Sequence, residues 1–181
     1  MKPNKINDYF DKIICINLDK RTDRWTESLE QFKKAGIEVE RFSAVYGNPR
    51  KWVHVKDRIA GKDPSDINYI KPESFGGVAG CIAKEKGWKN VLIIEDDCDF
   101  IDNITTVIHE KMKEVPNDWD LLYFGGVHET RGGRFIPKKI TENVVKCARM
   151  ITTTCYAINT NIVDMALDIV FKLYLHYIVT L

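Results

Sequence analysis

Two short apolar runs stand out from an otherwise mixed pattern. One is "KIICINL" at Lys12–Leu18; the other is Val91, Leu92, Ile93 and Ile94 within "KNVLIIEDDCDF". Runs of this length, the first interrupted only by Asn17 after Ile16, read as strands buried on both faces. After the first run comes "DKRTDRWTESLEQFKKAG". Its Trp25, Leu29, Phe32 and Ala35 lie at helical spacing, and Gly36 suits the position just past a helix end. "IEVERFSAV" alternates Ile37, Val39 and Arg41, which predicts a second strand. Residues 46–74 hold Gly47, Pro49, Gly61, Pro64 and Pro72, so they predict loops with one short helix over residues 52–59. Further on, "GVAGCIAKEKGW" predicts a short helix and "NITTVIHEKMKEV" another, closed by Pro116. "WDLLYFGG" predicts a strand ending on a glycine pair, residues 144–148 a strand within an irregular stretch, and "TTTCYAIN" a further strand.

The tail "NIVDMALDIVFKLYLHYIVTL" places Asp164, Asp168, Lys172 and His176 four apart, one polar stripe on an apolar helix. Its charges argue against a membrane span. Burial of the apolar face is expected through Met165, Leu167, Ile169, Val170 and Leu173. The last turn, residues 177–181, is expected to fray or to dock on another chain, a route to a homo-oligomer.

Strands alternating with helices predict an α/β fold with a mainly parallel sheet, and 181 residues suit a single domain spanning 1–181. The formal net charge of +1 offers no basic field for nucleic acid or an anionic membrane. "MKPNKINDYFDK" has no apolar stretch of the secretory kind. The five cysteines (Cys15, Cys81, Cys98, Cys147, Cys155) are odd in number and stand singly. Both observations predict free thiols and a cytoplasmic location.

The second run ends in Glu95, Asp96, Asp97 and Asp99. Two bare carboxylates ~4 Å apart repel by about 4 kcal/mol at an effective dielectric near 20. A solvated loop relieves this; a divalent cation relieves it more fully. Arg21 and Arg24 follow the first strand, and guanidinium forks suit phosphate oxygens. In parallel sheets ligands gather beyond the carboxyl ends of the strands, where both clusters would fall. Carboxylates for Mg²⁺ or Mn²⁺ and arginines for phosphate together describe a metal–diphosphate site.

Several pieces in register resemble glycosyltransferase family 25, the lipopolysaccharide-type and collagen galactosyltransferases. Asn17, Leu18, Arg21, Asp23 and Arg24 resemble its N-L-x-x-R-x-D-R. "FSAVYG" resembles its A-V-D-G, "GGVAGC" its G-x-x-G-C, "VLIIEDDCDF" its acidic strand end and "WDLLYFGG" its W-D-x-x-x-x-G-G. The resemblance implies a GT-A (Rossmann-like) nucleotide-sugar-binding fold. It further implies transfer of a hexose, galactose or glucose, from a UDP-sugar to a glycan or hydroxylated-protein acceptor, with Mn²⁺ or Mg²⁺. It assigns nucleotide contacts to Asn17, Leu18, Arg21, Arg24, Ala44, Val45, Tyr46, Glu95 and Asp96, and the metal to Glu95 and Asp97. Inversion would require a general base, for which Asp120, Glu129 and Asp118 all remain open.

The chain departs from the family in three places. A Ser-His pair and a longer helix are missing after Cys81, Tyr46 replaces an aspartate, and the chain ends soon after its late helix begins. These raise a rival reading, a non-catalytic protein that only binds a nucleotide-sugar or a partner. A receiver domain also carries an acidic pair at a strand end, but "WDLLYFGG" lacks the acceptor aspartate that it needs. The plainer readings make His128 a loop histidine rather than a third metal ligand, and Asp99 a supporting residue or a helix cap before Ile101. They also make Trp52, Trp88 and Trp119 core residues rather than sugar platforms.

Overall fold

The computed structural model describes residues 5–44, 83–133, 135–150, 152 and 154–165. The expectations for Val45, Tyr46, the loop-rich stretch, the "GGVAGC" glycines, Trp52, His176 and the tail beyond Met165 lie outside the described residues.

The first apolar run is β1 (Lys12–Leu18), preceded by a single 3-10 turn at Ile6–Tyr9. Helix α1 (Thr22–Ala35) closes on Gly36, whose φ of 63° is the left-handed conformation that glycine adopts at least cost. Strand β2 (Glu40–Ala44) begins three residues after the buried Ile37. The chain is described again from a helical turn at residues 83–85, and enters β3 (Asn90–Glu95). Helix α2 (Ile104–Met112) follows, then β4 (Leu121–Gly125), β5 (Lys138–Lys139), β6 (Val145–Lys146) and β7 (Cys155–Asn159). The cap residue of α2 is Asn103, so Asp99 does not cap it.

Among the described residues the main sheet has five strands in the order β2-β1-β3-β7-β4. β1 pairs in parallel with β2 and β3, whereas β7 runs antiparallel to both β3 and β4. Four strands therefore point one way, in line with the mainly parallel sheet expected, and β7 is the exception. "TTTCYAIN" gives no sequence sign of its direction, because a strand buried on both faces reads alike either way round. β5 and β6 form a separate two-stranded hairpin. Asn143 ties it to α2, taking a bond from Lys111 and donating its backbone N–H to Glu114 Oε2 at 3.0 Å.

Alternation along β3 divides the core. Leu92 and Ile94 face one layer with Ile13, Cys15, Phe32 and Ile108, under α1 and α2. Val91 and Ile93 face the other with Ile14, Ala83, Tyr156, Ile158 and Val163. All four β3 residues are at most 1% exposed, as the unbroken run predicts. Trp88 and Trp119 pack against these layers.

Two packing expectations need correction. Leu29 is 45% exposed, and the inward position on α1 is taken by Ser28, whose hydroxyl donates to the Asp96 carbonyl at 3.2 Å. Met165 is 56% exposed. Val163 is the residue that turns inward, and a helical neighbour two positions on points elsewhere.

The glycine pair closing β4 has a steric reason. A Cβ on Gly126 would stand 2.6 Å from the Thr152 carbonyl oxygen, and one on Gly125 2.5 Å from Thr154 Oγ1. The chain leaving β4 passes the segment entering β7 too closely for any side chain.

Candidate functional site

Parallel strands bring β1, β2 and β3 to one edge at their carboxyl ends, marked by Leu18, Ala44 and Glu95. The turn after β3 carries Asp96 and Asp97, and α1 starts beside it. There the two polar clusters of the sequence meet. Arg24 Nη1 donates to Asp96 Oδ1 at 3.0 Å and to Asp97 Oδ2 at 3.2 Å. The repulsion expected among the carboxylates is thus relieved by protein groups first.

Asp96 is held on its other oxygen as well: Asn17 Nδ2 donates to Oδ2 at 2.6 Å. Only 13% of the Asp96 side chain is exposed. Asn17 is 1% exposed and its amide is fully engaged. Nδ2 also donates to the Arg21 carbonyl at 3.0 Å, and Oδ1 accepts from Arg41 Nε and Nη2 at 2.9 and 2.7 Å. The polar atoms of Asn17 and Asp96, both expected at the nucleotide, are bonded to one another and to the arginines.

Asp97 behaves differently. Half of its side chain is exposed, and a single guanidinium contact restrains it. Glu95 ends β3 half-buried, its N–H donating to the Thr154 carbonyl at 2.8 Å. Arg21 is exposed and forks onto Asp23, with Nε–Oδ1 at 2.9 Å and Nη2–Oδ2 at 2.7 Å. That fork holds the Asp23 carboxyl down at about 2, so the pair stays ionised through neutral pH.

Metal fit is decided by the donor set. Among the described residues no group of three or more His, Cys, Asp or Glu converges. Mg²⁺ and Mn²⁺ do not need one, since they are commonly held by one or two carboxylates, substrate phosphates and water. Asp97, half exposed, offers one such carboxylate, and Glu95 stands two residues before it.

The candidates for general base separate cleanly. β4 runs in the same direction as β3, and its first residues pair with the end of β7 that meets Asn90. Asp120, whose carbonyl accepts from Asn159 N–H at 2.9 Å, lies at that end, as does Asp118. A strand of this length spans roughly 17–20 Å. Both carboxylates therefore lie at the strand end opposite the Glu95–Asp97 edge. Glu129 follows the carboxyl end of β4, on the side of the acidic turn. It is 8% exposed and ion-paired with Arg149 Nε at 2.8 Å. His128 is exposed with Nδ1 3.8 Å from Cys147 Sγ, a loop setting.

Arg41, Ser28 and Arg149 were not read as site residues. The signal for Arg41 was present: it stands where the alternation Ile37, Val39 puts an inward side chain.

Three thiols lie beneath this turn. Burial pushes Cys15 up to about 12, with the Asp96 charge adding to it. Cys155 donates to Cys98, which lowers the Cys98 pKa and, with burial, raises that of Cys155 well above the ordinary value. Iodoacetamide near pH 8 is expected to label Cys98 before Cys15 or Cys155, read by peptide mass spectrometry. Labelling of Cys15 first would contradict this packing.

A model of the family described as "Glycosyltransferase family 25 (LPS biosynthesis protein)" matches residues 10–180. A "Procollagen lysyl hydroxylase and glycosyltransferase" of Acanthamoeba polyphaga mimivirus is 29% identical over 169 residues, covering 77% of this chain and 18% of that protein. A "Glycosyltransferase 25 family member" of Anopheles gambiae is 29% identical over 125 residues, covering 62% and 21%. "Procollagen galactosyltransferase 2" of Mus musculus is 28% identical over 159 residues, covering 79% and 24%. The chain thus spans about a fifth of the length of these relatives.

Proposed function

Since the chain belongs to glycosyltransferase family 25, we propose that it transfers a hexose, galactose or glucose, from a UDP-sugar to a hydroxyl of a glycan or hydroxylated-protein acceptor. The observation that carries this is the Arg24 bridge between Asp96 and Asp97 at the carboxyl edge of β1 and β3. It brings a phosphate-binding cation and an accessible carboxylate to one point. The mixed sheet supports a GT-A type of nucleotide-sugar fold. The free thiols Cys15, Cys98, Cys147 and Cys155 support a reducing, cytoplasmic setting. No helix among the described residues is long and apolar enough to cross a membrane.

In this reading Asp97 and Glu95 would hold Mn²⁺ or Mg²⁺ together with the diphosphate. The metal supplies neutralisation of charge on the leaving diphosphate. Arg21, at the exposed start of α1, adds a fork for phosphate oxygens in exchange for its bond to Asp23. Leu18 and Ala44, paired at the strand ends, present backbone to the nucleoside. Glu129 accepts the proton of the acceptor hydroxyl as its oxygen bonds to the sugar C1 and the bond from C1 to the diphosphate oxygen breaks.

The test is UDP release from UDP-galactose and UDP-glucose with Mn²⁺ and no acceptor. Slow release, abolished by chelator, is the expected result. Mn²⁺-dependent UDP binding without sugar release would leave a non-catalytic nucleotide-sugar-binding protein. Absence of both would overturn the reading.

A further inference from the structure

We infer that Arg41 is a positioning residue, acting through Asn17 and Asp96 to fix the turn that presents Asp97; the ligand of that turn rests on the function proposed above. Arg41 stands on β2, opposite Cys15 of β1 and away from the turn in sequence. Its guanidinium bonds Asn17 Oδ1 twice and Asp19 Oδ1 at 3.0 Å, and lies 5.7 Å from the centre of the Trp25 ring. Ser43 Oγ donates to the other oxygen of Asp19 at 2.7 Å, which steadies that anchor.

The consequence is orientational. An arginine can only donate, so the Asn17 oxygen must face it. The amide nitrogen is thereby turned to its two acceptors, Asp96 Oδ2 and the Arg21 carbonyl. A flipped amide would set an oxygen against a carboxylate. With Asn17 and Arg24 on its two oxygens, and Ser28 on its carbonyl, Asp96 pins the turn from three sides. Asp97 is the next residue and has one weak restraint of its own. Its direction is set by how firmly Asp96 is held. A relay from β2 through β1 to the turn after β3 thus crosses three strands by side chains alone.

Lysine offers a point charge instead of a fork and cannot make the same paired contact. Arg41→Met and Arg41→Lys are therefore the informative variants, with Arg41→Lys carrying the test should Arg41→Met not fold. Asn17→Asp is a third: it keeps a partner for Arg41 but turns a carboxylate toward Asp96. Amide hydrogen exchange is followed by NMR at Glu95 and Cys98, which bond the Thr154 and Glu95 carbonyls. Mn²⁺ affinity is read in the presence of UDP from the six-line spectrum of free Mn²⁺.

The expected result is faster exchange at those two amides with α1 and the β1–β2 ladder unchanged, and a Kd for Mn²⁺ raised about tenfold, the usual effect of losing an outer-shell partner. Unchanged exchange at the turn would overturn the inference. So would faster exchange throughout the protein, which marks a merely structural residue, or a loosened turn with Mn²⁺ affinity equal to the parent's. If the turn loosens selectively while the parent itself binds no Mn²⁺ with UDP, the relay stands and the proposed function fails.

Discussion

Asp97→Asn is expected to remove the whole Mn²⁺-dependent part of UDP binding, so that the Kd measured with Mn²⁺ equals the Kd in chelator. The reason is chemical: an amide oxygen carries no formal charge and binds a hard cation far more weakly than a carboxylate, above all in a shell with so few protein ligands. The variant should leave the fold almost untouched. Asp97 is half exposed and its partner Arg24 keeps a second carboxylate in Asp96. Exposed pairs of this kind are worth about 0–1 kcal/mol. A protein of this size loses roughly 2–4 °C per kcal/mol, so the melting temperature should fall by less than about 4 °C. Relief of repulsion would raise it only if the carboxylates were bare, and Arg24 already offsets them. Calorimetric titration of UDP, with and without Mn²⁺, checks the prediction; undiminished Mn²⁺ dependence would refute the assignment of Asp97.

Ile93→Ala should have the largest effect on stability. Ile93 is 0% exposed, on the central strand, with Tyr156 paired beside it and Ile14 on its other flank. Truncating a buried isoleucine costs about 2–5 kcal/mol in transfer and cavity terms. The matching fall in melting temperature is roughly 4–20 °C. The opposite layer, holding Leu92, should keep its packing, since β3 alternates between the two. A fall below about 3 °C in calorimetry would mean that this layer is not close-packed.

Much of this architecture was legible because it rests on local patterns. Ile13–Ile16 and Val91–Ile94 are apolar without a break, and runs of this length suit strands buried on both faces. Gly36 marked the end of α1 for a backbone reason that any sequence displays. Strand direction was not legible: nothing in "CYAIN" encodes whether its neighbour runs with or against it. The site was legible as a list of residue types, but not in its division of labour. Asn17 and Asp96 stand in the sequence as ligand contacts beside Arg24 and Asp97, and only geometry shows them bonded to each other. Asp120 looked eligible as a base because sequence distance says nothing about which end of a strand a residue occupies. Ser28 in place of Leu29 on the inward face of α1 follows from one hydrogen bond to the Asp96 carbonyl, which helical periodicity cannot foresee.

The place of β3 between β1 and β7 bears on how the chain comes to be folded as it is made. Its partner on one side, β1, is synthesised long before it, and its partner on the other, β7, long after. While the ribosome extends the intervening segment, the β7-facing edge of Val91–Ile94 has no strand to pair with. An apolar, unpaired strand edge is a template for intermolecular pairing. Nascent chains paused between β3 and β7 would therefore be the species most in need of a chaperone, and release from that need would coincide with arrival of Cys155–Asn159.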